Sequence, residues 1–472
     1  MSDVVKEQES IIPLLSRALI QIRSTPPRVI ASPATQPRRA AVALIIRIAP
    51  PPSYPTSSGA GPLSSQPQTT DINEFFQLDW VRAPGARPEI LFLRRENPQE
   101  SSDGGRMNES GHAREAHLAF PGGRTEEGDE GGMYTAMRQT WEEIGLDLAE
   151  SAYAPIGQLD DREITTSLGK RLLMILSPYV FLQLTPQTTA VDPAPGTTMH
   201  WVPLSELVPS DLAAMLLDKS KKKGWSSGLS EPKPRWSSVT VDASSRLAPR
   251  HSPLLRLLVR VLVGNMNFPA ISIDASNTSV VYPAPAEAQT DDELDEKRAF
   301  VENGRNGGTG LKRQGSLQKL RSHASVQRQR RHEELKLWGL SLGMTLDFLA
   351  YMTSNTRGAT PSALVPPDAE LVLSGAPVLA PSLTSVFPRF SYPDVNFWIW
   401  VFGKRYREVV RGWEASVRAG GTNDRRINWT GSALNTFYAA VRKALVVVIV
   451  VRGIFLLVGL LLGGWFLFAR GV

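Results

Sequence analysis

The sequence contains no cysteine. That absence removes disulfides, thiol nucleophiles and thiolate-held zinc or iron–sulfur clusters, so any bound metal must rest on carboxylates, carbonyls or histidines. Histidine itself is scarce, 6 in 472 residues. Acid is missing from residues 10 to 70. A transit peptide shares that bias, but Glu7 and Glu9 speak against one, and the apolar stretches around Arg17, Arg23 and Arg28 are too short and interrupted for a secretory core. Residues 1–37 are therefore expected to be a flexible tail. A strong excess of one charge is also lacking: the formal net charge is +6, with the bases scattered through tails and linkers. No nucleic-acid module emerges, and an anionic substrate or a lipid surface is the expected counterpart.

What is present reads as one folded domain with extensions, because 472 residues carrying 36 Pro and 37 Gly exceed a single compact core. The continuous apolar run Ala40-Ala-Val-Ala-Leu-Ile-Ile-Arg47, stopped by Pro50-Pro-Pro, is a buried strand. Glu89–Arg94 gives another, and His117–Phe120 is a short strand running into Pro121-Gly-Gly123. Further strands are expected at 154–159, 173–184 and 199–202, around Val239 and Val241, and around Ile271 and Ile273, with a helix-like stretch from Leu254 to Val263. The domain is thus α/β and spans 38–275, with Ser/Pro/Gly-rich loop insertions. Residues 283–333 combine low hydrophobicity with blocks of acid and then base, which predicts a disordered linker.

The chemistry concentrates in Phe120-Pro-Gly-Gly-Arg-Thr-Glu-Glu-Gly-Asp-Glu-Gly-Gly-Met-Tyr-Thr-Ala-Met-Arg-Gln-Thr-Trp-Glu-Glu-Ile-Gly-Leu146. It reads as a glycine loop, an acidic turn, and a helix from Met133 to Ile144 that ends at Gly145. Positions 139, 142 and 143 stand at i, i+3 and i+4 on one helix face. Two adjacent glutamates repel unless a cation lies between them, and Mg²⁺ is a natural occupant, a hard ion that takes oxygen ligands and keeps waters for a phosphate to displace. Arg138 can brace one carboxylate, while Gly122 and Gly123 let the backbone approach metal or phosphate closely. A charged helix face is the competing account of Glu142 and Glu143.

This stretch resembles the Nudix box: Gly, five residues, Glu, seven residues, Arg-Glu, an aliphatic residue, any residue, Glu-Glu, any residue, Gly, aliphatic. Gly123 matches the first glycine, Arg138 the arginine, Glu142 and Glu143 the paired acids, Gly145 the second glycine and Leu146 the last aliphatic. Trp201-Val-Pro-Leu204 resembles the same family. Three departures stand out. Gln139 replaces the glutamate after the arginine and cannot take a proton. The Gly123–Arg138 spacing is one residue long, so either Asp129 or Glu130 fills the intermediate acidic position, with the extra residue absorbed before the helix. Thr140 occupies an aliphatic position. Phe120-Pro-Gly-Gly123 looks most like the coenzyme A pyrophosphatase branch, whose upstream signature is only loosely echoed by His112, Arg114 and Ala116.

The resemblance implies an α/β/α sandwich with a mixed sheet and Mg²⁺- or Mn²⁺-dependent cleavage of a nucleoside diphosphate linked to another group. Glu142, Glu143 and Arg138 would be catalytic. Gly122, Gly123 and Arg124 would bind substrate, and Glu142, Glu143, Gln139 and Gly123 would hold the metal. A later acid often helps in this family, for which Asp160, Asp161 and Glu163 are available. Alternatives are a Nudix-fold nucleotide-binding protein weakened by Gln139, and a membrane adaptor.

The one long apolar run, 444–469, is broken only by Arg452 and glycines, and is long enough to cross a ~30 Å hydrocarbon layer. With Arg442 and Lys443 before it and Arg452 placed to snorkel to the same side, a single-pass tail anchor with a cytosolic domain is expected. Between linker and anchor, 334–440 is expected to be a membrane-proximal helical and aromatic region: either Leu335–Met352 is an amphipathic helix and Asn396–Phe402 an interfacial cluster, or the two form the core of a small helical unit.

Overall fold

A computed structural model describes residues 2–33, 38–52, 71–95, 116–165, 172–186, 191–208, 235–244, 252–282, 334–353, 387–418 and 429–470. The helices are α1 (Ser2–Ser24), α2 (Ile72–Phe75), α3 (Asp79–Arg82), α4 (Gly132–Ile144), α5 (Pro253–Val263), α6 (Gly339–Thr353), α7 (Pro393–Phe402), α8 (Lys404–Arg418) and α9 (Trp429–Arg470). The strands are β1 (Arg39–Ala49), β2 (Arg87–Arg95), β3 (Ala116–Ala119), β4 (Gly122–Arg124), β5 (Tyr153–Gln158), β6 (Arg162–Thr165) and β7 (Leu172–Gln183). They continue with β8 (Thr197–Pro203), β9 (Arg235–Asp242), β10 (Asn265–Asp274), β11 (Ser279–Val281), β12 (Glu334–Trp338) and β13 (Arg389–Phe390). The linker assigned to 283–333 lies outside the described residues, as do His112 and Arg114.

The sheet is mixed. In its centre β8, β2, β1, β7 and β5 run side by side, β1 and β7 parallel and the other neighbours antiparallel. β4 flanks the first residues of β1, and β6 pairs with β7. Through β3, which pairs with β2, the sheet continues in parallel to β12 and then antiparallel to β10. β1 shows why helices cover both faces: its successive side chains point to opposite sides, and both sides are apolar. Ala41, Ala43 and Ile45 meet Ala136 and Ile144 of α4 in one core. Leu44, Ile46 and Ile48 belong to the other, together with α1 and α6.

That second core overturns the expected boundaries. Residues 1–37 are not simply a flexible tail: Ile11, Leu14, Leu15, Ala18, Leu19 and Ile22 of α1 recur at helical spacing and are all buried. Arg17 and Arg23 lie on its exposed side, while Arg28, beyond the end of α1, is buried. The domain does not end at 275 either. Leu335–Met352 is not one amphipathic helix but the strand β12 followed by α6, whose Leu342, Leu346, Phe348, Leu349 and Met352 fill the same core. An apolar helix without a polar face is what a fully covered position requires. Asp347, the acid on α6, is 2 % exposed and paired with Arg162 of β6, which also donates to Gly343 O.

The rest of 334–440 builds a separate cluster. Phe387, Val395 of α7, and Tyr406 and Trp413 of α8 pack on Leu434, Phe437, Val441 and Val448 of α9, with Val259 and Leu262 of α5. α9 is one helix of 42 residues, longer than the expected 444–469, and it contains an apolar stretch, Gly431–Phe466, long and apolar enough to cross a membrane. Arg452 does not snorkel freely: it pairs with Asp394 at 2.7 Å, donates to Leu262 O and stands over the Tyr392 ring.

Candidate functional site

β4 holds the glycines of the loop against β1. Gly122 has φ +144°, and a Cβ there would lie 2.3 Å from Ala41 O, so only glycine fits. Gly123 faces the opposite way, onto α4, where a Cβ would meet Gln139 Oε1 at 2.0 Å. The side chain of Gln139 therefore lies directly on the Gly123 backbone. The helix carrying it ends as the sequence predicts, with Gly145 at φ 68° and its N–H on Trp141 O. Thr140 solves the problem of a hydroxyl in an aliphatic position by donating to Ala136 O at 2.7 Å, which leaves its methyl in the core.

Of Asp129 and Glu130, Asp129 is the one that Arg138 holds. Its Nε and Nη2 donate to the two carboxylate oxygens of Asp129 at 2.8 and 2.9 Å, and Thr135 Oγ1 and Glu126 N complete the acid's partners. These donors, the guanidinium above all, hold the Asp129 carboxyl well below the usual carboxylate range. Asp129 stands six residues after Gly123 and two before Gly131, the residue that precedes α4.

Arg138 reaches in a second direction, from Nη1 to Glu142 Oε1 at 2.9 Å, while Gln139 Nε2 donates to Glu142 Oε2 at 2.9 Å. Glu143 turns the other way. Arg95, at the end of β2, grips it through Nε and Nη2 and also reaches toward Phe120 O. The two glutamates thus do not share one cation; each is balanced by its own arginine, which revises the argument that a metal ion is needed to offset their repulsion. Both still border the glycine loop, Glu142 beside Gln139 over Gly123 and Glu143 beside Arg95 at Phe120. Arg124 is exposed on β4, and its carbonyl accepts from Arg138 Nη2 at 3.3 Å.

Of the later acids, Asp161 is fully buried and accepts from Ile30 N, Arg39, Gln158 and Ser177. Asp160 accepts from Arg28 N. Both secure the chain between α1 and β1, a structural task. Glu163 lies on β6 opposite Ile175. Arg95 was not legible as a site residue, because its only sequence signal is a basic pair with Arg94 at a strand end.

No protein-family model matches the chain. It is similar to an uncharacterized protein of Schizosaccharomyces pombe, 27% identical over 169 residues, which cover 36% of this chain and 44% of that protein. The chain therefore matches less than half the length of that relative.

Among the described residues no three His, Asp or Glu side chains are grouped as a metal site. What the loop and α4 offer a divalent ion is two carboxylates, Glu142 and Glu143, with neutral oxygen from Gln139 and the loop backbone. That donor set fits a hard ion that retains several waters. For both carboxylates to hold one ion, Arg95, with 46% of its side chain exposed, would have to release Glu143.

Proposed function

We propose that this chain is a membrane-tethered hydrolase of the Nudix type, using Mg²⁺ or Mn²⁺ to cleave the pyrophosphate of a nucleoside diphosphate linked to another group. The observation that supports it is the double grip of Arg138 on Asp129 and Glu142, which joins acidic turn, glycine loop and catalytic helix into one rigid unit.

In this reading Glu142 and Glu143 hold the ion, with Gln139 Oε1 and the Gly123 backbone as neutral neighbours. The bound ion supplies charge neutralisation of the diphosphate and lowers the pKa of a coordinated water. Arg138 keeps Glu142 in place, so that reorganisation during reaction is small. Gly122 and Gly123 allow the diphosphate to approach the backbone, and Arg124 is exposed beside them for its negative charge. Arg95 alternates between Glu143 and the substrate phosphate, for which its planar fork is equally suited. The apolar part of α9 spans the bilayer, and the bases Arg442 and Lys443 put the domain on the cytosolic side.

A second reading, a nucleotide-diphosphate binder without turnover, is favoured by Gln139, which contributes no charge and no base. The deciding experiment uses full-length protein in detergent with a panel of nucleoside diphosphate conjugates, coenzyme A included, and measures monophosphate release with Mg²⁺ or Mn²⁺. Release that disappears in Glu142→Gln supports the hydrolase. Binding of conjugates without release, converted to release by Gln139→Glu, selects the second reading. Neither binding nor release in either variant removes both.

A further inference from the structure

α5 has two apolar faces. Val259, Leu262 and Val263 are buried against the α7–α9 cluster. Leu254, Leu257, Leu258 and Val261, spaced i, i+3, i+4 and i+7, form a second stripe that is 81, 61, 46 and 59% exposed. A helix of a soluble surface turns charge to that side. Scattered exposed leucines are ordinary, whereas a continuous stripe marks a surface that is covered by something.

The position of the stripe identifies the cover. Leu262 O accepts from Arg452 of α9, which also pairs with Asp394 at the start of α7. The end of α5 and the start of α7 therefore sit beside α9 where its character changes: Val448 is the last buried apolar side chain among the described residues, and the large apolar side chains from Ile454 to Phe466 are exposed. The eighteen residues Gly453–Arg470 rise about 27 Å at 1.5 Å each, close to the hydrocarbon thickness of a bilayer. The Arg452–Asp394 pair would then mark the water–lipid boundary, where an ion pair costs far less than at the bilayer centre. On the helix that begins at Asp394, α7, Phe397 and Trp400 are exposed, aromatic side chains suited to that boundary.

We propose that α5 is a membrane-surface helix, its stripe Leu254–Leu257–Leu258–Val261 entering the outer part of the same bilayer that α9 spans. Arg260, exposed on the flank of the same helix, is placed for the headgroups. The domain is held flat against the lipid by two contacts instead of hanging from a single stalk. This rests on the reading of α9 as a membrane span.

The absence of cysteine makes the test clean. Leu257→Cys, Leu258→Cys, the span position Leu460→Cys and the exposed α2 position Glu74→Cys are each introduced into the full-length chain and labelled with an environment-sensitive dye. The protein is reconstituted into phosphatidylcholine vesicles brominated near the headgroup or near the chain end. Expected is a loss of roughly half the emission at 257 and 258 with shallow bromine, at 460 with deep bromine, and none at 74. Quenching at 460 but not at 257 or 258 overturns the α5 proposal and leaves the span intact. No quenching at 460 removes the span and the proposal with it. Shielding of 257 from both lipid bromine and aqueous iodide means that protein covers the stripe, which also overturns it.

Discussion

Arg138 and Asp129 face each other as a fork and a carboxylate, with N···O distances of 2.8 and 2.9 Å, across the turn that leads into α4. The pair fastens that turn to α4. Asp129→Asn should therefore destabilise the protein by about 1–2 kcal/mol, typical of a lost charge-assisted bond. It should also loosen Glu142, lowering any ion affinity at the site. Because the folded pKa is depressed, the stabilisation is present above the unfolded carboxylate value of 3.8 and disappears only as pH falls toward the folded value. Thermal melts of the two proteins should run parallel from pH 7 to pH ~4 and converge below.

The neighbouring glycines should respond differently to alanine. Gly122→Ala forces a Cβ into Ala41 backbone at positive φ, and a loss of about 3 kcal/mol or more in chemical denaturation is expected. Gly123→Ala meets the end of the Gln139 side chain, which can rotate away, so the melt should drop by ~1 kcal/mol or less while conjugate binding falls sharply. Equal stability losses at both positions would contradict this assignment.

Placing an acid at 139 replaces a hydrogen bond to Glu142 by a repulsion. Gln139→Glu without divalent ion should melt lower than the parent by about 1 kcal/mol. With Mn²⁺ it should gain more than the parent does, since three acids bind the ion more tightly and binding to the native state stabilises by mass action. Calorimetric titration of Mn²⁺ into both proteins measures the difference directly.

Arg162 and Asp347 form a pair with 2 and 3% of their side chains exposed. Removing either partner leaves an uncompensated buried charge, and Asp347→Leu alone should cost ~3–5 kcal/mol. The double replacement Arg162→Met with Asp347→Leu should recover most of that loss, because both desolvation penalties go together. Denaturant midpoints of the single and double variants test the coupling.

His200 is buried among Thr198 and Thr278, and burial lowers its pKa to about 4. Below pH ~6.5 the unfolded chain takes up a proton that the folded one refuses, so stability is full above that pH and falls as pH drops toward 4, by up to about 3 kcal/mol. His200→Gln should flatten the melting temperature across that window.

The central strands, α4 and its Gly145 stop were legible because each depends on neighbours close in sequence: alternation, helical spacing, a left-handed cap. α1 and α6 were not. Arginines interrupt the first, and the second lacks any polar face, so local patterns spoke for tail and membrane surface. Both are settled by packing against each other in the core on one face of the sheet, which no local pattern displays.

Sequence alone determined which residues could gather at the glycine loop, since Gln139, Glu142 and Glu143 fall on one helical turn by covalent spacing. Only the tertiary structure decided how they are used. Arg95 arrives from a strand end 48 residues away and takes Glu143 for itself, while Asp394 reaches across 58 residues to capture Arg452. Charge in a folded chain is balanced by whatever is nearest in space, and that distance is set by packing, not by order along the chain.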